Sequence, residues 1–224
     1  MAPAKKRKAA APAANKPGKV AKGKKTATPL DFERYWDADE DCVTGDGLEK
    51  LCGELGVDAS TDTRLLAMCW RLGAEKPGVL QRGEWGKFAS CQDLPTCGNA
   101  SLEALRDNWG SLDPAFLENS EFRPFFKFCF EFNREGTQKF LDRDAALALL
   151  PLCIENRSPH SAKFVEFLGT KPTDFKLNRD QWCSFLDFSI AVGPAPEFRG
   201  WIAEESSWPI LLDEFVEFAK QPMA

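Results

Sequence analysis

The chain has 224 residues, a net charge of −5, and 43% apolar and 12% aromatic residues, enough to bury a core in one domain or two small ones. No run of about eighteen apolar residues occurs, so no membrane span is expected. The N-terminus has no apolar stretch of the secretory kind, and the sequons at Asn99 and Asn156 are therefore expected to be chance matches.

Residues 1–28 hold nine basic side chains and no acidic one, so residues 29–224 carry −14 once those nine are set against the net −5. This tail is rich in Ala, Pro, Gly and Lys, lacks an apolar period, and is expected to be disordered. Lys5, Lys6, Arg7 and Lys8 form a nuclear-localisation pattern, and Lys22, Lys24 and Lys25 form a second basic cluster. The alternative is a solvated tail that binds nucleic acid loosely through phosphate charge, as a chromatin-associated protein would. The acidic body argues against a specific grip on nucleic acid and favours a basic partner.

The stretch D37-A-D-E-D-C-V-T-G-D-G-L48 sets aspartates at positions one, three and five, as a calcium loop does. Such a loop needs Gly at six and a bidentate Glu at twelve; here Cys42 and Leu48 stand there. The segment from Asn133 to Asp142 fits less well. Both are read as loops connecting helices, with a calcium-binding regulatory protein as the alternative function.

Helical periodicity then runs through the body. Leu48, Leu51, Cys52 and Leu55 recur at helical spacing, followed by Leu65, Met68, Cys69 and Leu72, with Leu66 and Trp70 widening the stripe. Leu102, Leu105 and Trp109 give a third face. In F122-R-P-F-F-K-F-C-F-E-F132, Phe126, Phe128, Phe130 and Phe132 alternate as in a strand, whereas Phe122, Phe125, Phe126 and Cys129 fit a helix. With no partner strand in view, a helix apolar on most sides is expected. Asp142 can cap a helix through residue 154, and Ser158-Pro159 opens another over 162–168. Asn178 with Gln181 resembles a capping box for W182-C-S-F-L-D-F-S-I190, and Ser206 or Ser207 with Pro209 starts the last helix. The fold class expected is all-α.

The eight cysteines include no C-x-x-C pair and sit mostly in apolar helical patterns, so buried reduced thiols are expected. His160 is the single histidine, and nothing local pairs it with a nucleophile.

R179-D-Q-W-C-S-F-L-D-F-S189, followed by S207-W-P-I-L-L-D-E-F-V-E-F218, resembles the defective-in-cullin-neddylation family, whose members carry a potentiating-neddylation domain. G45-D-G-L-E-K-L-C52, the helix ending at Trp70, F125-F-K-F-C-F-E-F-N133 and the region around F140-L-D-R-D-A-A extend the resemblance over roughly residues 31–219. It implies a compact multi-helix domain over residues 29–222, with EF-hand-like halves that lack calcium, behind the tail of residues 1–28. It further implies a non-catalytic co-ligase with no cofactor, which holds a cullin and the neddylation-conjugating enzyme and acts by positioning them. The expected partners are the cullin's C-terminal winged-helix domain, the N-terminally acetylated conjugating enzyme and the cullin's RING subunit. The protein is expected to be a monomer in the nucleus and also the cytoplasm, without membrane or specific nucleic-acid binding.

By position, the resemblance carries the cullin-binding triad onto Asp180, Ser207 and Asp213, with Ser207 where the family has Ala. At about 100° per residue, Asp180 shares a face with Asp187, opposite Trp182, Phe185 and Leu186. Asp213 likewise lies with Glu214 and Glu217 on an expected solvated face. The family's cleft for the acetylated N-terminal Met maps onto Leu48, Leu65, Met68, Cys69, Leu72, Leu80, Phe132, Leu149 and Leu152, with Leu72 and Leu80 where aromatic residues are familiar.

Overall fold

A computed structural model describes residues 29–154, 157–193, 198 and 208–221. The basic tail, Asn156, Ser206 and Ser207 therefore lie outside the described residues. In chain order the α-helices are α1 (Gly45–Leu55), α2 (Thr63–Leu72), α3 (Arg82–Trp85), α4 (Lys87–Ser90), α5 (Leu102–Asp107), α6 (Asn119–Phe132), α7 (Arg143–Ile154), α8 (Ser161–Gly169), α9 (Arg179–Val192) and α10 (Ile210–Lys220). None of them is long and apolar enough to cross a membrane.

The fold class is all-α, with one addition the sequence did not disclose. Strands β1 (Phe140–Asp142) and β2 (Lys176–Asn178) form an antiparallel ribbon that pairs Phe140 with Asn178, Leu141 with Leu177 and Asp142 with Lys176. Three residues are too few for a period of two to show. A single bridge does the same work nearer the N-terminus, where Val43 and Leu80 exchange two backbone hydrogen bonds of 2.9 Å. In each half two loops beside helices thus touch through buried aliphatic residues, Val43 with Leu80 and Leu141 with Leu177.

Two apolar clusters follow this division. The N-terminal one gathers α1, α2 and Leu105 around Trp85, whose Nε1 donates to the Leu30 carbonyl at 3.0 Å. The C-terminal one is built largely of rings from α6, α8, α9 and α10. Leu66 and Phe128, both half-buried, pack against both clusters and join them.

The ambiguous phenylalanine run is helical, within α6. Phe122, Phe125, Phe126, Cys129, Phe130 and Phe132 face inward, while Arg123, Pro124 and Lys127 form an exposed stripe. That stripe makes the helix less apolar around its circumference than the sequence suggested. Water at the exposed side can satisfy the carbonyl that loses its partner to Pro124.

The Asp37–Leu48 loop closes on itself. Asp37 N donates to the Cys42 carbonyl at 2.9 Å, and the Asp37 carboxylate accepts from Asp39 N at 2.9 Å. Leu48, where a calcium loop needs its bidentate Glu, is 7% exposed and belongs to the N-terminal cluster. Gly47 is packed so closely that an added Cβ would lie 2.2 Å from the Tyr35 carbonyl oxygen and 2.8 Å from Val43 Cγ1.

Candidate functional site

The acidic face begins with a local rule. The Asn178 side chain accepts from Gln181 N at 2.9 Å, and the Gln181 side chain accepts from Asn178 N at 3.0 Å, the reciprocal capping box. This starts α9 directly at the end of β2. Trp182 then fixes the rotation of the helix: it is fully buried, stacks on Phe126 at 4.6 Å, and its Nε1 donates to the Phe126 carbonyl at 2.9 Å. With Trp182, Phe185 and Leu186 turned inward, Asp180 is left exposed in the first turn, and its side chain has no ion pair among the described residues. Asp187, lower on the same face, is ion-paired with Arg123 of α6.

Helix α10 is held against this arrangement by Phe215, whose ring lies 5.1 Å from that of Phe164, 6.1 Å from Phe185 and 5.8 Å from Phe188. Glu214 accepts from Lys171 Nζ at 2.5 Å. Asp213 differs from the expected solvated position. It is half-buried in the first turn, and its Oδ1 is shielded from water without a hydrogen-bond partner among the described residues. The helix N-terminus favours the carboxylate, yet a buried acceptor left unpaired costs about 1–3 kcal/mol.

Beside Asp180 a groove of about 570 Å³ runs between the end of α6 and the start of α9. Glu131, Arg134, Lys139 and Arg179 line it, with Phe130 and the half-buried Cys183 below.

The nine cleft residues fall into two groups. Leu48, Met68, Cys69, Leu72, Leu80 and Phe132 lie in the N-terminal cluster, with Leu65 half-buried against it. Met68, Leu72 and Leu80 are fully enclosed. Leu149 belongs to the C-terminal cluster. Leu152 is half-buried and lines a pocket of about 180 Å³ with Thr63, Pro114, Phe122 and Arg157. Arg157 crosses the seam there: it donates to the Pro114 carbonyl at 3.1 Å and also to that of Leu117, and lies 4.7 Å over the Phe122 ring. Sequence reasoning did not single out Arg157, because its partners are backbone carbonyls some forty positions away in a segment without a helical stripe.

Two of the thiols and the single histidine are enclosed. Burial pushes the Cys69 thiol up to about 12 and the Cys129 thiol well above its usual range. His160 is buried, with Nε2 bonded to the Gly193 carbonyl at 2.7 Å and its ring 5.0 Å from that of Phe198. Among the described residues no cluster of three His, Cys, Asp or Glu side chains is placed to hold a metal ion.

The sequence model of the family described as Cullin binding matches residues 104–218, just over half of the chain. The chain is 32% identical over 191 residues to DCN1-like protein 4 of Danio rerio, covering 84% of this chain and 64% of that protein. It is 31% identical over 190 residues to DCN1-like protein 4 of Homo sapiens, covering 84% and 61%. It is 30% identical over 191 residues to DCN1-like protein 3 of Xenopus laevis, covering 84% and 60%. The chain thus spans somewhat less than two thirds of the length of these relatives. Asp180 and Asp213 both fall inside the family match, and the chain belongs to the cullin-binding family.

Proposed function

We propose that this protein is an accessory co-ligase that binds the C-terminal winged-helix domain of a cullin through Asp180, Ser207 and Asp213 and positions it for neddylation. The observation that carries the reading is the exposed carboxylate of Asp180, which has no ion pair among the described residues and lies within the family-matched segment. An incoming lysine or arginine would satisfy it with a charge-assisted hydrogen bond. Catalysis by holding two partners together requires no nucleophile of the scaffold's own. The second partner in this reading is the conjugating enzyme, whose acetylated N-terminal Met enters between the helices that carry Leu65 and Leu152. Acetylation removes a charge that would be costly to bury there.

The test pairs two affinities on each folded variant, for a cullin C-terminal domain and for an acetylated N-terminal peptide of the conjugating enzyme. Asp213→Lys places like charges together and is expected to weaken the cullin by about 2–5 kcal/mol while leaving the peptide unchanged. Asp180→Ala acts in the same direction with a smaller effect, and Ser207→Arg blocks approach. Unchanged cullin affinity for folded Asp213→Lys refutes the placement. Removing the acetyl group is expected to cost the peptide at least tenfold, about 1.4 kcal/mol, and equal affinity for both peptides removes the cleft assignment.

The tail extends the proposal to the nucleus. Replacing Lys5, Lys6, Arg7 and Lys8 by Ala is expected to shift a fluorescent fusion to the cytoplasm without changing its thermal stability. Undiminished nuclear accumulation counts against a signal there.

A further inference from the structure

The groove beside Asp180 inverts the charge of its surroundings. The folded body is acidic, yet the groove's uncompensated charges are mostly positive. Glu131 accepts from Arg179 at 3.2 Å and lies 3.7 Å from Lys127, so its charge is neutralised within the groove. Arg134 uses one nitrogen on the Gln138 carbonyl at 2.5 Å, while its Nε is shielded and has no partner among the described residues. Neither Arg134 nor the exposed Lys139 has a carboxylate partner among the described residues. The ribbon holds this arrangement in place. Because Phe140 pairs with Asn178, the register carries Lys139 opposite Arg179, at the mouth of the groove. One wall therefore presents Lys139 and Arg134, without carboxylate partners among the described residues, and the other the exposed carboxylate of Asp180.

We propose that this groove seats an acidic side chain of the same cullin surface, taken by Lys139 and Arg134 while Asp180 takes a basic one. The inference rests on the cullin reading above and changes what that reading asks of the partner. A merely basic surface would be repelled along the Lys139 wall. A surface carrying both signs at the groove's spacing docks in one orientation, and like-charge juxtaposition suppresses others. The match lies in geometry as well as sign, since the exposed ammonium of Lys139 and the half-buried guanidinium of Arg134 line the same groove and can share one carboxylate.

The test uses the full chain and a cullin C-terminal domain, with affinity and association rate measured at low and physiological salt. Lys139→Glu is expected to lower affinity at least tenfold and to slow association, and Lys139→Ala to give a smaller loss in the same direction. Lys76→Glu makes the same charge change at an exposed site in the N-terminal half and is expected to bind as the parent does. If both Lys139 variants bind normally while Asp213→Lys does not, the groove assignment is overturned and the cullin reading stands. If Asp213→Lys also binds normally, both fall. A loss with Lys76→Glu equal to that with Lys139→Glu assigns the effect to bulk charge and overturns the groove. Should Lys139→Glu fail to fold, by circular dichroism, Lys139→Ala decides: parental affinity overturns the proposal.

Discussion

The two halves share one plan and hold it together by different means. In the C-terminal half the loops are joined by three ladder pairs, and the core is a lattice of rings: Phe164 stacks on Phe185 at 3.8 Å, and Phe215 meets Phe164, Phe185 and Phe188 edge-on. In the N-terminal half the loops touch through Val43 and Leu80 alone, and α3 and α4 have four residues each. Polar contacts there gather at the two ends of α2. Asp62 accepts from Arg64 N at 3.0 Å, from Arg64 Nη2 at 2.6 Å and from Trp109 Nε1 at 3.1 Å, and Lys87 Nζ caps the Leu72 carbonyl at 2.6 Å. In the N-terminal half, directed bonds to the open ends of α2 add to the packing.

The sharpest way to break this contrast is Trp182→Ala. Loss of a fully buried ring is expected to cost about 3–5 kcal/mol in chemical denaturation. Because Leu66 and Phe128 touch both cores, amide exchange is expected to rise in α2 as well as in α9. Exchange confined to α9 would mean that the halves unfold separately. Next come the loop contacts. Leu177→Ala in the ribbon is expected to cost about 2–5 kcal/mol, and Val43→Ala at the single bridge less, since fewer methyl groups are removed. An equal or larger loss at Val43 reverses the contrast.

A smaller effect is expected at Asp62→Asn, about 1–2 kcal/mol at neutral pH, from weakened charge-assisted bonds at the α2 N-cap. Burial opposes ionisation of Asp62, but the bonds from Arg64 and Trp109 outweigh it and hold the carboxyl below the usual carboxylate range. A depressed native value means that this stability is fully present above the unfolded value of about 3.9 and is lost as pH falls through the native one. The gap between parent and variant should therefore narrow below about pH 4; a gap that persists there points to packing alone. The smallest expected effect is none: millimolar calcium should leave the melting temperature unchanged and give no saturable binding heat, and a micromolar isotherm would revive the sensor reading.

Long elements were legible in the sequence because their stripes repeat. Leu48, Leu51, Cys52 and Leu55 are all buried on α1, and the Asn178–Gln181 pair forms the box its spacing suggests. The ribbon and the short helices α3 and α4 were not, since three or four residues span too little for a period to repeat twice. In the candidate site, the exposure of Asp180 follows from helix periodicity. The half-burial of Asp213 does not, because it depends on how α10 lies against its neighbours. The cleft residues show the same limit: periodicity marks Met68 and Leu149 alike as inward-facing, but assignment to different clusters is a tertiary fact.

The closed turn at Asp37 bears on any attempt to engineer the chain. Installing a glutamate at position 48 would supply the absent twelfth ligand on paper. In this backbone it would push a carboxylate into an apolar cluster, while Asp37 stayed committed to Asp39 N and to the pairing with Cys42. Reopening the loop would also disturb Gly47, which has no room to move outward past the Tyr35 carbonyl. Metal affinity here lies several simultaneous substitutions away, and the step at position 48 runs downhill in stability, so the loop acts as a ratchet in sequence space.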